Sequence, residues 1–343
     1  EIGACDWSSD VCSSDLALDR PTRPAPKRRA AWVRALVAGL PLAVAALATL
    51  ATAFAQRHWL LDALTHFRLQ ILGLALLLAL AFGLWHRWVT SGAAASIAIV
   101  NAVMLLPWSY LAGGAAPGEA ERWVNVRVVA LNILSTNPHV EMLVTMIEEA
   151  QPDLVLLTEV TRHTREALAA RLSAYPHLRF RNWGRSGTAI FSRLPMADKR
   201  GPYAGFGSAS ATVFLEGGAA LHVIAVHPPS PDNPRDWQWR NDALNSLAAV
   251  TADLEVPVIV GGDFNCSPWS PFLRKVMEEG RLRYPGTVIS PPPTWPMFLP
   301  AFARIPIDHI LVSPGLRVTR YRLGPHVQSD HRPVIADVAV ALP

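Results

Sequence analysis

The sequence predicts an α+β domain over residues 123–343, preceded by three helices that cross a membrane. Short apolar, β-favouring runs recur after residue 123, with turn residues between them. Few helical stretches, such as those over Val140–Ala150 and Arg235–Asp253, interrupt these runs. Many strands with few helices favour packed sheets that are covered by helices. In contrast, charged residues are scarce throughout residues 35–118, which is typical of membrane segments.

Three apolar runs predict the membrane spans. Residues Ala35–Ala55 comprise 21 positions without a charge, and Leu69–Trp85 has only Gln70 as a strongly polar member. The third run, Trp88–Gly118, carries no formal charge over 31 residues. Roughly 20 apolar residues in a helix cross a hydrocarbon core. Buried helices of a soluble protein are the alternative, but these would show polar faces with a period near 3.6, and none of the runs does.

Composition divides the chain into five segments. Residues 1–16 resemble translated sequencing-adapter sequence, so we expect a non-native leader. Residues 17–34 are basic, 35–112 hold the three spans, 113–122 form a linker and 123–343 form the α+β domain. The basic segment predicts a cytoplasmic N-terminus. Three crossings of the inner membrane would then place the α+β domain on the extracytoplasmic side.

Charge and cysteine content narrow the classes of function. The chain has a net charge of +4, but residues 123–343 hold 21 Lys and Arg against 19 Asp and Glu. Such a near-neutral domain does not predict a strongly basic nucleic-acid-binding face. Cys266 is the single cysteine of this domain, so it cannot form a disulfide within it. We expect it to be a small buried side chain, because no base motif marks it as a nucleophile.

Polar side chains lie at or beside the ends of the predicted strands. The runs are VVALNI with Asn132, LVLLTEV with Glu159, VIAVHPPSP with His227, VIVGGDFN with Asp263 and Asn265, IDHILVS with Asp308 and His309, and QSDHRPVIADV with Asp330 and His331. A charge at the end of a buried strand is costly unless it is paired or binds a metal. Asp263 alone would more readily be a turn residue. Six such events in one domain indicate a shared site.

The residue types at these strand ends suit metal binding and proton transfer. Asn132, Glu159 and Asp330 supply the oxygen ligands that Mg²⁺ or Mn²⁺ prefers. Neither cysteine pairs nor the HExxH spacing of zinc sites occurs in the domain. The separated histidines can transfer protons or neutralise phosphate near neutral pH. Asp308 can hold His331 in one tautomer, as in an oriented base.

The ordered motifs LN, TE, HPP, GDFN, IDHI and SDH resemble those of the endonuclease/exonuclease/phosphatase superfamily of metal-dependent phosphodiesterases and phosphomonoesterases. The resemblance covers about residues 124–341, and GDFN followed by SDH is its most specific part. It implies a DNase I-like, four-layered α/β sandwich with the site at one edge.

The resemblance also implies a set of metal-site residues. Asn132, Glu159 and Asp330 match the metal-site positions, and Glu159 would be the principal carboxylate. Some members of the superfamily carry an acidic residue two positions after the asparagine, where this chain has Leu134. We therefore expect one Mg²⁺ or Mn²⁺ ion, and the presence of a second ion stays open.

The remaining matched positions imply catalytic roles. Asp263 resembles the aspartate that orients or deprotonates the attacking water, and Asn265 a neighbouring phosphate or water contact. His331 resembles the histidine that contacts the scissile phosphate, and Asp308 would pair with it. His227 resembles the second histidine, which would stabilise the phosphate or assist the leaving group.

Four further residues have competing interpretations. His309 follows Asp308 on a strand, so it should face the opposite side of the sheet and be structural. Trp237 and Trp239 could stack on nucleic acid, but an aromatic pair that opens a helix more often packs internally. Trp295 lies in a proline-rich segment, and either packing or contact with a substrate would fit an exposed loop there.

The sequence therefore predicts a membrane-anchored, divalent-metal-dependent phosphoesterase that attacks its substrate with an activated water. A catalytically inactive binding or scaffold domain at the membrane is the alternative. The expected partners are the lipid bilayer, through three helices, and a phosphate-ester substrate. Nucleic acid and a phospholipid or sphingolipid headgroup both stay open as substrates, because family membership alone does not determine function.

Overall fold

The structure, a computed structural model, describes residues 26–105, 122–197, 201, 203, 205, 207–285 and 291–342, with the backbone alone for 26–38. The predicted leader and nearly all of the predicted linker lie outside these residues. The chain divides into two compact units, residues 1–43 and 44–343. Helix α1 (Pro26–Thr52) begins in the first unit, and the features below belong to the second.

Seven further α-helices follow in the described residues. They are α2 (Trp59–Thr65), α3 (Arg68–Leu84), α4 (Trp88–Leu105), α5 (Val140–Ala150), α6 (Arg162–Arg171), α7 (Pro234–Ala252) and α8 (Pro271–Glu279). Local sequence explains several of their ends. Asn233 caps α7 by accepting hydrogen bonds from two backbone N–H groups, and Pro234 occupies the first turn, where its missing N–H costs nothing. Ser270 caps α8 in the same way, and Thr161 caps α6.

The strands form two sheets. They are β1 (Trp123–Asn132), β2 (Leu154–Val160), β3 (His177–Trp183), β4 (Ser186–Ser192), β5 (Ala209–Phe214), β6 (Ala220–Val226), β7 (Val258–Asp263), β8 (Asp308–Val312), β9 (Leu316–Leu323) and β10 (Val334–Ala341). One sheet has six strands in the order β3-β4-β2-β1-β10-β9, and the other has four in the order β5-β6-β7-β8. The predicted strands and the two predicted helices of this domain are confirmed.

The two sheets pack face to face and helices cover their outer faces. Residues such as Val128 and Leu156 of the six-stranded sheet form one buried cluster with Ile259 of the four-stranded sheet. Leu143 of α5 and Leu168 of α6 pack on the outer face of the six-stranded sheet. Helices α7 and α8 cover the other sheet in the same manner. Burial of each large aliphatic side chain stabilises the fold by about 1.5–3 kcal/mol. This α+β sandwich of two sheets confirms the predicted class of domain.

The sheet topology places the strand ends of the motifs at one edge. Strands β1 and β2 run parallel, as do β6 and β7, so that these four strands end on the same side. Strands β8 and β10 run antiparallel to β7 and β1, and both begin at that side. Asp263 at the end of β7 is paired with Asp308 at the start of β8. Residues from both ends of the domain's sequence therefore meet at this edge.

Two glycines precede Asp263 because the backbone passes its neighbours too closely for side chains. A Cβ atom on Gly261 would lie 2.7 Å from Leu156 Cδ1, in the contact between the sheets. Gly262 has a φ of +142° and a Cβ atom there would lie 2.2 Å from the carbonyl oxygen of Val226. Glycine therefore lets β7 deliver Asp263 at the sheet edge without forcing the sheets apart.

The apolar helices do not support three membrane spans. Among the described residues, α4 is long and apolar enough to cross a membrane, and there are at most two such spans if α2 and α3, which are bent by 63°, count as one. In the first predicted span, the apolar helical stretch with described side chains is Gly39–Thr52, which is shorter than a candidate span. Residues 106–118 of the third predicted span lie outside the described part of the chain.

Candidate active site

The structure brings the predicted site residues together at the common sheet edge. A cavity of about 430 Å³ is lined by seven of the eight predicted residues, which are Asn132, Glu159, His227, Asp263, Asn265, Asp330 and His331. The eighth, Asp308, is buried behind the cavity, where it hydrogen-bonds to His331. Segments far apart in the sequence therefore converge as expected, while the individual roles of these residues stay predictions.

Asn132 and Glu159 are held in place by a network of hydrogen bonds. The Asn132 amide nitrogen donates to Glu159 Oε1 at 3.0 Å and to Asp263 Oδ2 at 3.1 Å. The second Glu159 oxygen accepts from the backbone N–H of Ser135 at 2.9 Å. Glu159 has a φ of 59°, a conformation that is uncommon for a residue with a side chain and that concentrates at functional sites.

The same network changes the pKa of Glu159. Burial on its own would raise the pKa of this carboxyl group, but the hydrogen bonds from Ser135 and Asn132 and the nearby His227 lower it below the usual value. Glu159 is therefore a carboxylate at neutral pH, which is the form that binds a divalent cation.

His331 lies between two buried carboxylates. Its Nδ1 atom is 2.8 Å from Asp308 Oδ2, and its Nε2 atom is 3.8 Å from Asp263 Oδ2. Burial opposes the charged imidazolium, but Asp308 and Asp263 overcome this effect and raise the pKa of His331 to about 10. His331 is therefore a cation near neutral pH, with Nδ1 donating to Asp308 and Nε2 directed to the side of Asp263.

Asp263 lies near two histidines and accepts a backbone hydrogen bond. Burial and the charge of Asp308 raise the pKa of Asp263, although His331, His227 and the backbone N–H of Asn265 oppose this. His227 Nε2 lies 3.6 Å from Asp263 Oδ2, and the Asn265 N–H donates to Asp263 Oδ1 at 2.8 Å. A raised pKa makes this carboxylate a stronger base than an exposed aspartate.

Trp295 lines the cavity and contacts Asp330. Its indole nitrogen donates to Asp330 Oδ2 at 3.1 Å, and its ring centroid is 6.2 Å from that of His331. The other carboxylate oxygen, Asp330 Oδ1, is buried and has no hydrogen-bond partner among the described residues. An unpaired buried oxygen beside the cavity fits a ligand for a cation.

Two sets of residues, with no member in common, could hold a metal ion. The ligand atoms of Asp263, Asp308 and His331 all lie within 4.8 Å of one another. In that group, however, His331 and Asp308 already share a hydrogen bond of 2.8 Å, which a cation would have to replace. The predicted carboxylates Glu159 and Asp330 line the cavity, and Asp330 has a free oxygen. This second set, with Asn132, therefore fits a hard divalent cation better.

Sequence reasoning missed the part of the cavity wall that comes from α2 and the turn after it. Trp59, Ala63, His66 and Phe67 line the cavity, whereas the sequence suggested a loop between spans for this region. One signal was present, because Asp62 is the only acidic residue between positions 35 and 118. An isolated carboxylate in an apolar region is a candidate for a specific buried partner.

Two of the residues with competing interpretations, His309 and Trp237, pack inside the domain, while Trp239 is 37% exposed. His309 is fully buried and its Nε2 atom lies 2.8 Å from the Cys266 carbonyl oxygen, away from the cavity. Cys266 is buried as expected. The Trp237 ring lies 5.6 Å from that of Phe272, so this tryptophan is not exposed for stacking on a nucleic acid.

The comparison with protein families identifies the group to which this site belongs. Residues 124–331, which are more than half of the chain, match the Endonuclease/Exonuclease/phosphatase family. The chain belongs to this family. Members of the family are typically hydrolases of phosphoesters and generally depend on a divalent metal.

Solved structures show the same fold. An endonuclease/exonuclease/phosphatase from Beutenbergia cavernae DSM 12333 is 19% identical, with a TM-score of 0.50 over 63% of this chain and 72% of that one. Humanized D. rerio TDP2 is 17% identical, with a TM-score of 0.52 over 62% of this chain and 98% of that one. No curated protein sequence matches significantly. At such identities the likeness establishes the fold, and the endonuclease/exonuclease/phosphatase fold predicted from the motifs is thereby confirmed.

Proposed function

We propose that the chain is a membrane-anchored, divalent-metal-dependent phosphoesterase that hydrolyses a phosphodiester or phosphomonoester by attack of an activated water. The observation that carries this proposal is the convergence of Asp263 with the Asp308–His331 pair at one cavity, beside Glu159 and Asp330. A base, a cation and metal-binding carboxylates in one cavity are the components that phosphoester hydrolysis requires.

In this mechanism Asp263 prepares the water. Its raised pKa suits it to accept a proton from the water as the water oxygen bonds to phosphorus. The bond between phosphorus and the leaving oxygen then breaks, and His227 or solvent protonates that oxygen. The Asn132 amide donates to Asp263 Oδ2 at 3.1 Å and so keeps the carboxylate oriented.

His331 and Asn265 would stabilise the charge on the phosphoryl group. With Nδ1 bonded to Asp308, the His331 cation has Nε2 left to donate to a phosphoryl oxygen. Asn265 donates one amide hydrogen to the Pro228 carbonyl at 3.0 Å and retains a second for the substrate. Preorganised donors of this kind act where negative charge develops during the reaction.

Glu159, Asp330 and Asn132 would hold Mg²⁺ or Mn²⁺. When bound, the metal supplies a Lewis acid that neutralises phosphate charge. Leu134, which stands where some family members have an acidic residue, contributes its backbone N–H to Asn132 Oδ1 at 3.0 Å and no ligand atom from its side chain. A single ion is therefore the simplest arrangement for this chain.

Helices α3 and α4 would anchor the chain in the inner membrane as a multi-pass protein. They pack on each other and expose apolar side chains, including Leu76, Leu77, Leu80, Leu84 and Val89. An exposed apolar surface of this kind is typical of a helix pair that faces lipid. The basic residues of segment 17–34 favour a cytoplasmic N-terminus, and the number of crossings then decides on which side the cavity lies.

Hydrolysis of bis-p-nitrophenyl phosphate by the full chain in detergent tests the proposal. We expect turnover with Mg²⁺ or Mn²⁺, its loss with EDTA, and a decrease of about 10²–10⁴-fold in Asp263→Asn and His331→Ala, since general acid–base groups contribute this much. Both variants should keep the wild-type circular dichroism spectrum. Near wild-type hydrolysis by His331→Ala would contradict the mechanism, and no hydrolysis by the wild type on any phosphoester would favour the scaffold alternative.

A further inference from the structure

The α2 segment, defined here as residues 59–67, is built into the catalytic domain by a buried ion pair. Asp62 is 1% exposed, and its Oδ1 atom accepts from the Ser270 hydroxyl at 2.9 Å. Its Oδ2 atom accepts from the Trp237 indole at 3.1 Å and from the fully buried Arg240 guanidinium. A buried carboxylate with partners on both oxygens fixes the position of the helix that carries it.

This attachment reaches the loop that carries the predicted catalytic residues. Arg240 also donates to the Asn265 carbonyl oxygen at 3.0 Å. At the other end of the segment, His66 Nδ1 accepts from the Ser267 N–H at 3.3 Å and lies 3.0 Å from the Ser267 hydroxyl. The loop that follows Asp263 is therefore held from two points on the α2 segment.

The α2 segment adds apolar surface to a cavity whose other lining residues are largely polar. Trp59, Ala63 and Phe67 line the same cavity as the carboxylates and histidines of the motifs. The phosphate and the metal need only the polar residues. Apolar groups in a cavity contribute to binding when the ligand has an apolar part to place against them, so this wall fits an ester with a hydrocarbon group close to the phosphorus.

A loop with two exposed aromatic side chains lies beside the start of α3. Gln70, in the first turn of α3, donates to the Phe302 and Arg304 carbonyl oxygens at 3.2 and 3.1 Å. This contact holds the loop after Trp295 beside the start of α3, and the loop exposes 80% of Phe298 and 81% of Phe302. Exposed aromatic side chains next to an apolar helix are typical of a surface that meets the bilayer.

We infer that the α2 segment is a specificity wall, which selects phosphate esters that carry an alkyl or acyl chain and enter from the bilayer, in preference to nucleic acid. This inference rests on the proposed hydrolysis and adds the substrate class. Trp59 and Phe67 are the specificity residues because they are the two large apolar residues of the segment that line the cavity. Asp62 and His66 act as positioning residues through their bonds to the catalytic domain.

A matched pair of substrates tests whether the α2 segment selects esters with an alkyl chain. Methyl p-nitrophenyl phosphate and octyl p-nitrophenyl phosphate share the leaving group and the reacting phosphorus, and differ only in the alkyl chain. For the full chain in one detergent with Mg²⁺ or Mn²⁺, we expect kcat/KM to be at least about 10-fold higher for the octyl ester, because each buried methylene favours binding. We expect this octyl-to-methyl ratio to fall below about 3 in Trp59→Ala and in Phe67→Ala.

Two further variants keep the test decisive. Trp85→Ala removes a tryptophan that is 66% exposed at the end of α3 and is not among the residues lining the cavity, so it should retain the wild-type ratio. Ala63→Trp fills part of the cavity and leaves Trp59 and Phe67 in place. It should lower kcat/KM for the octyl ester more than for the methyl ester, even if the alanine variants fail to fold.

The outcomes separate the inference from the proposed function. A wild-type ratio near one, or an unchanged ratio in the wall variants, would overturn the wall while leaving hydrolysis intact. Faster cleavage of a single-stranded oligonucleotide than of the octyl ester would also overturn it. Hydrolysis of neither ester nor of bis-p-nitrophenyl phosphate would overturn the proposed function itself. A high ratio that collapses in Trp59→Ala and Phe67→Ala, and persists in Trp85→Ala, supports the inference.

Discussion

Asp62 and Asp308 are two buried carboxylates, each paired with a buried cation, and they differ in how their oxygens are used. Asp62 has partners on both oxygens, from Ser270, Trp237 and Arg240. Asp308 bonds to His331 through Oδ2, while its Oδ1 is buried and has no partner among the described residues. A saturated pair is suited to hold structure, whereas an incompletely satisfied pair beside a cavity is suited to chemistry. Substituting one member of each pair tests this difference.

The largest expected effect is on catalysis, in Asp308→Asn. The substitution keeps the shape of the side chain but removes the charge that raises the pKa of His331 to about 10. We expect kcat/KM to fall by about 10²–10⁴-fold. Because the imidazolium is lost as pH rises through the folded pKa, the alkaline limit of any residual activity should move to lower pH.

Asp242→Asn provides the matched control for Asp308→Asn. Asp242 is exposed on α7, so the same change of chemistry there should alter neither turnover nor its pH profile. If Asp308→Asn destabilised the fold strongly while retaining turnover, the Asp308–His331 pair would be the structural one and the contrast with Asp62 would be reversed.

The second largest expected effect is a loss of stability in Asp62→Ala. Removing this carboxylate leaves Arg240 buried without its countercharge, which typically costs about 3–5 kcal/mol. We expect a lower midpoint of chemical denaturation for the full chain in detergent. The double variant Asp62→Leu, Arg240→Met replaces both charges with apolar groups and should recover much of the loss. A wild-type midpoint for Asp62→Ala would show that the α2 segment is not held by this ion pair.

The smallest of the three effects concerns a buried histidine that belongs to neither pair. Burial lowers the pKa of His309 to about 4, although the Cys266 carbonyl and Asp308 oppose the decrease. Its contribution to stability is therefore complete above pH 6.5, where the unfolded side chain is also neutral, and is lost as pH falls towards 4. This loss amounts to roughly 3 kcal/mol.

His309→Gln checks this pH dependence, because glutamine does not titrate and can still donate to the Cys266 carbonyl oxygen. We expect its free energy of unfolding to decrease less than that of the wild type between pH 6.5 and 4. Parallel decreases in the two proteins would assign the acid sensitivity to other groups, including Glu159.

The domain could be predicted from the sequence because its signals are local and ordered. Apolar runs of strand length gave β1, β2, β6 and β7, and the polar residues at their ends gave the cavity. Parallel strands end on the same side of a sheet, so the ends of β1 and β2 bring Asn132 and Glu159 together. Face-to-face packing of the two sheets then brings Asp263 to Asn132. The order of the family motifs along the chain then predicted the fold, which local patterns alone cannot do.

The region before residue 106 could not be predicted to the same extent. Hydropathy measures composition along the chain, and it does not distinguish a span from a helix that bends by 63° and packs on a distant domain. The position of α2 depends on Arg240, which is 178 residues from Asp62. No pattern within residues 56–68 could specify that partner, so the segment was assigned to a loop between spans.

The spacing between the two sheets also sets the spacing across the candidate active site. Asn132 ends a strand of the six-stranded sheet and Asp263 ends a strand of the four-stranded sheet. One hydrogen bond of 3.1 Å joins their side chains. The absent side chain of Gly261 keeps the sheets this close, because even a methyl group would meet Leu156 at 2.7 Å. Gly261→Ala is therefore expected to push the sheets apart and to lengthen the Asn132–Asp263 hydrogen bond, so that a residue without a side chain sets the spacing of the cavity.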